Sequence, residues 1–103
     1  MKLNVAERFV LLDALPREGN LKTIRTVRDI RALVELTSEE FTDFEITQAG
    51  ENIRWNPDKA VEKEIDLTAP MVSQIVQALQ ELDNKGKLTS NHFSLCEKFD
   101  LGK

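Results

Sequence analysis

The spacing of the apolar residues changes from a helical to an extended period near residue 44. Upstream, Ile24, Val27, Ile30 and Val34 recur at intervals of three and four, which predicts the inward stripe of a helix. From Phe44, in "FEITQAGENIRWN", apolar and polar residues alternate on both sides of the turn signal "AGEN", which predicts a β-hairpin. The helical period returns after residue 68. The chain is therefore predicted to be α+β, with N-terminal helices, a small antiparallel β-hairpin or three-stranded sheet, and two C-terminal helices.

Capping residues mark where the helices begin. Glu7 follows the first cap by three residues, the spacing of a capping box, and Pro70 falls in the first turn of the long fourth helix. Gly86 is a natural stop for that helix. A further short strand is predicted in "EKEIDL", where Ile65 and Leu67 share a face. The five predicted helices begin at Asn4, Asn20, Ser38, Thr68 and Thr89.

Composition predicts one compact domain over residues 1–103. The chain has 103 residues and a mass of 11.7 kDa, with 41% apolar and 31% charged residues, which is typical of a folded globular protein. We expect neither a membrane span nor a secretory signal, because the longest apolar run is the four residues "FVLL". A single cysteine agrees with a reducing compartment. The expected location is cytoplasmic, in the host cell if the protein is phage-encoded.

The charges are unevenly divided along the chain. Residues 1–36 carry seven Lys or Arg and five Asp or Glu, a balance of +2, whereas residues 37–103 carry seven and thirteen, a balance of −6. The net charge is therefore −4. Such an acidic chain repels phosphate backbones and anionic lipid, so the balance favours protein partners over nucleic acid or membrane.

The only histidine and the only cysteine, His92 and Cys96, lie four residues apart in "GKLTSNHFSLCEKF". The helical period places both with Leu95 and Phe99 on one face, which favours a buried structural pair. A structural zinc site needs four ligands drawn mainly from cysteine and histidine, and the chain has no third. We therefore predict no metal, no cofactor and no catalytic residue, and thus no enzymatic activity.

One predicted helix, over residues 21–36, is basic on its outer arc. This feature supports an alternative function, a winged-helix-like DNA-binding regulator in which the basic helix enters the major groove. Acidic residues four positions after Arg25 and Arg31 can neutralise the same arc. The candidate nucleic-acid-binding residues are Lys22, Arg25, Arg28 and Arg31.

The first helix has more apolar residues than one buried face requires. Val5, Phe9 and Leu12 can face a core, whereas the others are predicted to point elsewhere and to meet a second chain, most simply in a homodimer or other small oligomer. The alternative is that the first helix is the central helix of a monomer. Trp55 has two interpretations, an anchor of the hairpin or an interface residue. The candidate interaction residues are Val10, Leu11, Leu15 and Trp55.

Three segments carry a resemblance to a known group: "MKLNVAERFVLLDALPREGNLKTIRTVRDIR", "RWNPDKAVEKEI" and "IVQALQELDNKGKLTSNHFSLCEKF". Together they span nearly the whole chain, which resembles small bacteriophage and prophage proteins of uncharacterised function. The resemblance implies a phage-related origin and transfers no functional residue. With the residue-level observations, it predicts a small non-enzymatic phage-related protein that acts by protein–protein interaction.

Overall fold

A computed structural model describes residues 1–50 and 52–101 and confirms the α+β class. Within these residues, five helices and four short strands follow one another along the chain. In order, they are β1 (Lys2–Leu3), α1 (Val5–Ala14), α2 (Leu21–Val34), α3 (Ser38–Asp43), β2 (Thr47–Ala49), β3 (Asn52–Arg54), β4 (Lys63–Glu64), α4 (Ala69–Asn84) and α5 (Phe93–Lys98). A 3₁₀ turn, Ser90–His92, leads directly into α5. Among the described residues, no helix is long and apolar enough to cross a membrane.

The four strands form two separate antiparallel pairs within the described residues. Strands β2 and β3 make the predicted hairpin, with Thr47 opposite Arg54 and Ala49 opposite Asn52. Gly50 follows β2 at a φ of 63°, a conformation that glycine adopts without strain. Glu51, in the predicted turn, lies outside the described residues. The strand predicted near residue 64 also forms, but it pairs with β1 instead of extending the hairpin.

The predicted helix caps are confirmed at four of five positions. The side chains of Asn4, Asn20, Thr68 and Thr89 each accept a hydrogen bond from a first-turn N–H, and Asn4 completes its capping box with Glu7. The third cap is Thr37, one residue before the predicted Ser38, because Thr37 and Glu40 have the spacing of a capping box. Helix α4 ends at Asn84, and the predicted stop signal Gly86 follows the C-cap residue at a φ of 66°, where the Lys87 N–H donates to the Leu82 carbonyl at 2.8 Å.

Helix α1 lies at the centre of the fold and packs against α2, α4 and α5. Its position explains why the prediction that Leu11 and Leu15 face away from the core is wrong: both are buried, since neighbouring helices cover α1 on more than one side. Val10 is half-buried against the same core. The alternative interpretation expects α1 to be a central helix covered by the sheet and by the helix over residues 71–82; the hairpin and α4 do pack on α1, and α2 and α5 cover it as well. The homodimer or other small oligomer stays a prediction. The main core also contains Leu3, Val27, Ile30, Val34, Ile65, Ile75, Leu79, Leu95 and Phe99.

A second, smaller cluster lies beneath the hairpin. Val5, Leu36, Phe44 and Ile46 are buried there, and Trp55 packs against them. The Trp55 and Phe9 rings contact with their centroids 6.3 Å apart, which fits the predicted anchoring role of Trp55. The cluster joins α1 to the hairpin, so the small sheet is held by side-chain packing as well as by its own ladder.

Candidate interaction surfaces

A fully buried arginine, Arg8, connects α1 to the corner between α2 and α3. Its Nε donates to the Val34 carbonyl at 2.8 Å and its Nη2 to the Glu35 carbonyl at 3.0 Å. Both terminal nitrogens also bind the Glu40 carboxylate, at 2.5 and 2.9 Å. A guanidinium is suited to this position because its planar fork matches a carboxylate and leaves further donors for the carbonyls at the end of α2.

The Glu40 carboxylate makes two interactions that stabilise the fold. Besides pairing with Arg8, its Oε1 accepts from the Thr37 N–H at 2.9 Å and so caps α3. The hydrogen bonds from Arg8 lower the pKa of Glu40 most, burial opposes them, and the Thr37 N–H and the charges of Arg8 and Lys63 lower it further, to about 2. The carboxylate is therefore ionised, and both of its oxygens accept hydrogen bonds from groups within the protein.

Acid should lower the free energy of unfolding by protonating Glu40. Because the pKa of Glu40 falls from 4.5 to about 2 on folding, the unfolded chain binds more protons between these values, and the free energy of unfolding decreases as the pH falls through them. The full shift corresponds to up to about 3 kcal/mol. As the pH is lowered from about 6 to about 3, we expect the denaturant concentration at the unfolding midpoint to decrease, and to decrease more steeply in wild type than in Glu40→Gln. Equal slopes in the two proteins would contradict this assignment.

A second buried carboxylate, Glu7, joins the two ends of the described chain. Its Oε1 accepts from the Asn4 N–H at 2.9 Å and from Lys98 Nζ at 2.7 Å, and Lys98 also donates to the Lys2 carbonyl. Burial raises the pKa of Glu7, but the hydrogen bonds from Asn4, Lys98 and Ser94 and the charge of Lys98 outweigh it and hold the pKa below its usual value. Within the described residues, the buried Oε2 makes no hydrogen bond of good geometry.

His92 and Cys96 are both half-buried, so the predicted burial of the pair is confirmed only in part, with Cys96 packed against the main core. His92 Nδ1 accepts from the Thr89 N–H at 3.0 Å, so the histidine closes the capping box of the 3₁₀ turn. Cys96 is half-buried, and burial followed by the negative charge of Asp83 raises the pKa of its thiol, which disfavours the nucleophilic thiolate. In the part of the chain that the structure describes, no group of three or more His, Cys, Asp or Glu could hold a metal ion.

A groove on α2 combines an apolar floor with a basic rim. It has a volume of about 350 Å³. We call it the α2 groove, and its lining residues are Pro16, Arg17, Ile24, Val27, Arg28 and Arg31. Among the described residues that line it, none is acidic, so three guanidiniums surround Pro16, Ile24 and Val27 without a carboxylate between them.

The apolar floor of the groove reaches the surface because Ile24 is more exposed than predicted. Ile24 is 37% exposed, which corrects its placement in the inward stripe, and Leu21, one turn earlier on α2, is 73% exposed. Arg31 is half-buried and donates to the Leu12 carbonyl at 3.4 Å, so this arginine of the groove joins α2 to α1. Ile24 and Leu21 are therefore exposed apolar side chains on the helix that carries two arginines of the groove.

The structure divides the predicted nucleic-acid-binding residues. Arg28 and Arg31 lie in the α2 groove together with Arg17, which sequence reasoning missed because it falls outside the predicted helix. Lys22 instead lines a polar cleft between α2 and α4, and Arg25 is exposed outside the groove. The four side chains therefore do not form one basic surface.

Trp55 lines a separate cavity of about 300 Å³ near the beginning of α1. Pro57, Ala60 and the 63% exposed Val61 line it as well, with Glu62 at the same site. Trp55 is half-buried, so one part of the ring packs on Phe9 while another part faces the cavity. Of the four predicted interaction residues, Trp55 is the one that borders a surface opening described here, and Leu11 and Leu15 are interior.

Comparisons with known proteins give no family for this chain. A scan against protein-family models, a search of curated proteins and a search of solved structures each found no match.

Proposed function

We propose that this chain is a small non-enzymatic protein that acts by binding another protein, and that the α2 groove is its main contact surface. The observation that supports the proposal is the set of three arginines around an apolar floor, next to the 73% exposed Leu21. Arginine is enriched at the energetic centres of protein interfaces, where it combines apolar contact with charge-assisted hydrogen bonds. The phage-related origin and the cytoplasmic location stay predictions from the sequence.

The chemistry of the groove favours an acidic, partly apolar partner. Nucleic acid would match the guanidiniums but offers no apolar side chain to the floor. The alternative, a winged-helix-like regulator, also meets a charge conflict, because the acidic helix α3 lies directly before the hairpin and exposes Glu39 and Asp43. Phosphate groups would be repelled by these carboxylates at the position next to a DNA-contacting wing.

Reversing a charge in the α2 groove should distinguish protein binding from DNA binding. When the protein is used as bait in an affinity pull-down from cell lysate, we expect Arg28→Glu to recover about tenfold less partner protein than wild type. The reason is that the substitution places a carboxylate next to the carboxylates of the partner. Arg25→Glu is the matched control, with the same charge change on the same helix outside the groove. Nuclease treatment of the lysate should leave the captured proteins unchanged.

Two outcomes would contradict the proposal. Equal capture by wild type and Arg28→Glu would show that the α2 groove is not the contact surface. Capture of DNA that Arg28→Glu abolishes, with protein recovery lost on nuclease treatment, would support the regulator instead.

A further inference from the structure

We infer that the α2 groove binds a second copy of this chain, which contributes Phe93 as the apolar group and Glu97 as a carboxylate. The inference rests on the proposed function and names the partner. It starts from two surfaces of the molecule with opposite chemistry, one on α2 and one on α5.

The contributed surface is the outer face of α5. Phe93 is 64% exposed, the most exposed aromatic side chain in the described part of the chain. Glu97 is exposed and follows Phe93 by four residues, so the two side chains are neighbours on one helix face. An aromatic side chain with a carboxylate beside it is therefore presented to solvent.

The receiving surface has the complementary features. The floor of the α2 groove accepts an apolar ring, and Arg17, Arg28 and Arg31 offer donors to carboxylates. The attraction expected between two copies is therefore local, between these guanidiniums and the Glu97 carboxylate, and it acts against the like net charges of −4.

Another exposed aromatic fits the groove less well. Phe41 on α3 is 42% exposed, but Glu39 and Asp43 are two residues away on either side of it and so lie on the opposite side of the helix. Glu40, its remaining acidic neighbour in α3, is already bound to Arg8. Phe41 thus serves as a matched control for Phe93.

Each contact joins two different surfaces. If two such contacts form around a two-fold axis, they close into an isologous dimer; a single contact repeated from copy to copy is heterologous and grows into longer assemblies. A contact centred on one aromatic ring and a few ion pairs is expected to be weak, with dissociation constants in the micromolar range.

Sedimentation velocity from about 1 to 200 µM tests the contact. We expect wild type to self-associate in this range and less strongly at about 1 M salt, where the ion pairs are screened. Phe93→Ser and Arg28→Glu should each weaken association about tenfold or more, whereas Phe41→Ser and Arg25→Glu should leave it unchanged. Circular dichroism and denaturant unfolding establish that each variant is folded.

A mixing experiment gives the decisive result. Phe93→Ser keeps an intact groove and Arg28→Glu keeps an intact Phe93, so an equimolar mixture should associate through one restored contact, more strongly than either variant alone. Three results would overturn the inference. They are wild type that stays monomeric at the highest concentration, variants that associate as strongly as wild type, and a mixture that associates no more strongly than the single variants. If wild type is monomeric but captures other proteins in a manner that depends on Arg28, the proposed function stands and only the inference of self-association is overturned.

Discussion

Arg8→Met is expected to destabilise the protein by about 3–5 kcal/mol. Methionine preserves much of the apolar stem, but it removes every hydrogen bond that the guanidinium makes. The carbonyls of Val34 and Glu35 would lose a donor and the half-buried Glu40 carboxylate would lose its counter-charge, and leaving such groups unpaired costs more than the intact pair contributes. Since small domains are stable by about 5–15 kcal/mol, such a loss removes a large fraction of the total.

Denaturant unfolding measures this effect, with Arg25→Met as the control because Arg25 is an exposed arginine on α2. A double variant, Arg8→Met with Glu40→Gln, should regain part of the stability, because the unpaired charge is gone while the amide oxygen can still accept from Thr37. An Arg8→Met midpoint equal to that of wild type would show that the ion pair contributes nothing to the fold.

Leu11→Glu is the second change with a large expected effect, and it should unfold the protein. Leu11 is fully buried in the main core, so the substitution places a carboxylate among apolar side chains without a partner. The expected cost exceeds about 4 kcal/mol, at the upper end of what single substitutions do. Circular dichroism should show loss of helix at room temperature, or a greatly lowered melting temperature.

Leu21→Glu is the matched control for Leu11→Glu, because Leu21 is an exposed leucine on α2. We expect this control to fold normally and to change stability by no more than about 0.5 kcal/mol. A folded Leu11→Glu protein that differs from wild type only in its oligomeric state would restore the earlier sequence-based interpretation, in which Leu11 faces a second chain.

Local signals in the sequence predicted much of the fold. The caps at Asn4 and Thr68, the stop at Gly86 and the alternation around the hairpin depend on residues close in sequence, and each of these features is present. The Thr37 cap was missed by one residue because Thr37 and Ser38 are both good capping residues and a periodic pattern does not choose between them.

Features that depend on distant residues were missed. The pairing of β1 with β4 brings together segments about sixty residues apart, and two-residue strands have no detectable alternation. The burial of Arg8 was equally hidden, because its carboxylate partner lies 32 residues away and a single arginine in a helix is ordinarily solvated. Leu11 was assigned to the outside because helical spacing gives relative directions only, not the number of neighbouring helices.

The α2 groove was predicted in part. Arg28 and Arg31 were recognised as members of a basic arc, but helical spacing alone grouped them with Lys22 and Arg25. The missing information was tertiary: the loop after α1 brings Pro16 and Arg17 beside α2, and Ile24 then becomes part of an exposed floor. No local pattern in "LPREGN" indicates where that loop folds back.

The ion pair between Glu7 and Lys98 has a consequence for the order of events during synthesis. Its members are 91 residues apart, and α1, the centre of the core, also packs against α5. At about 5–20 residues per second, a ribosome needs roughly 5 to 18 s to add the residues between them. During this time the apolar surface of α1 lacks its final cover, so native closure must await α5, and early contacts with chaperones or with other nascent chains compete for the same surface.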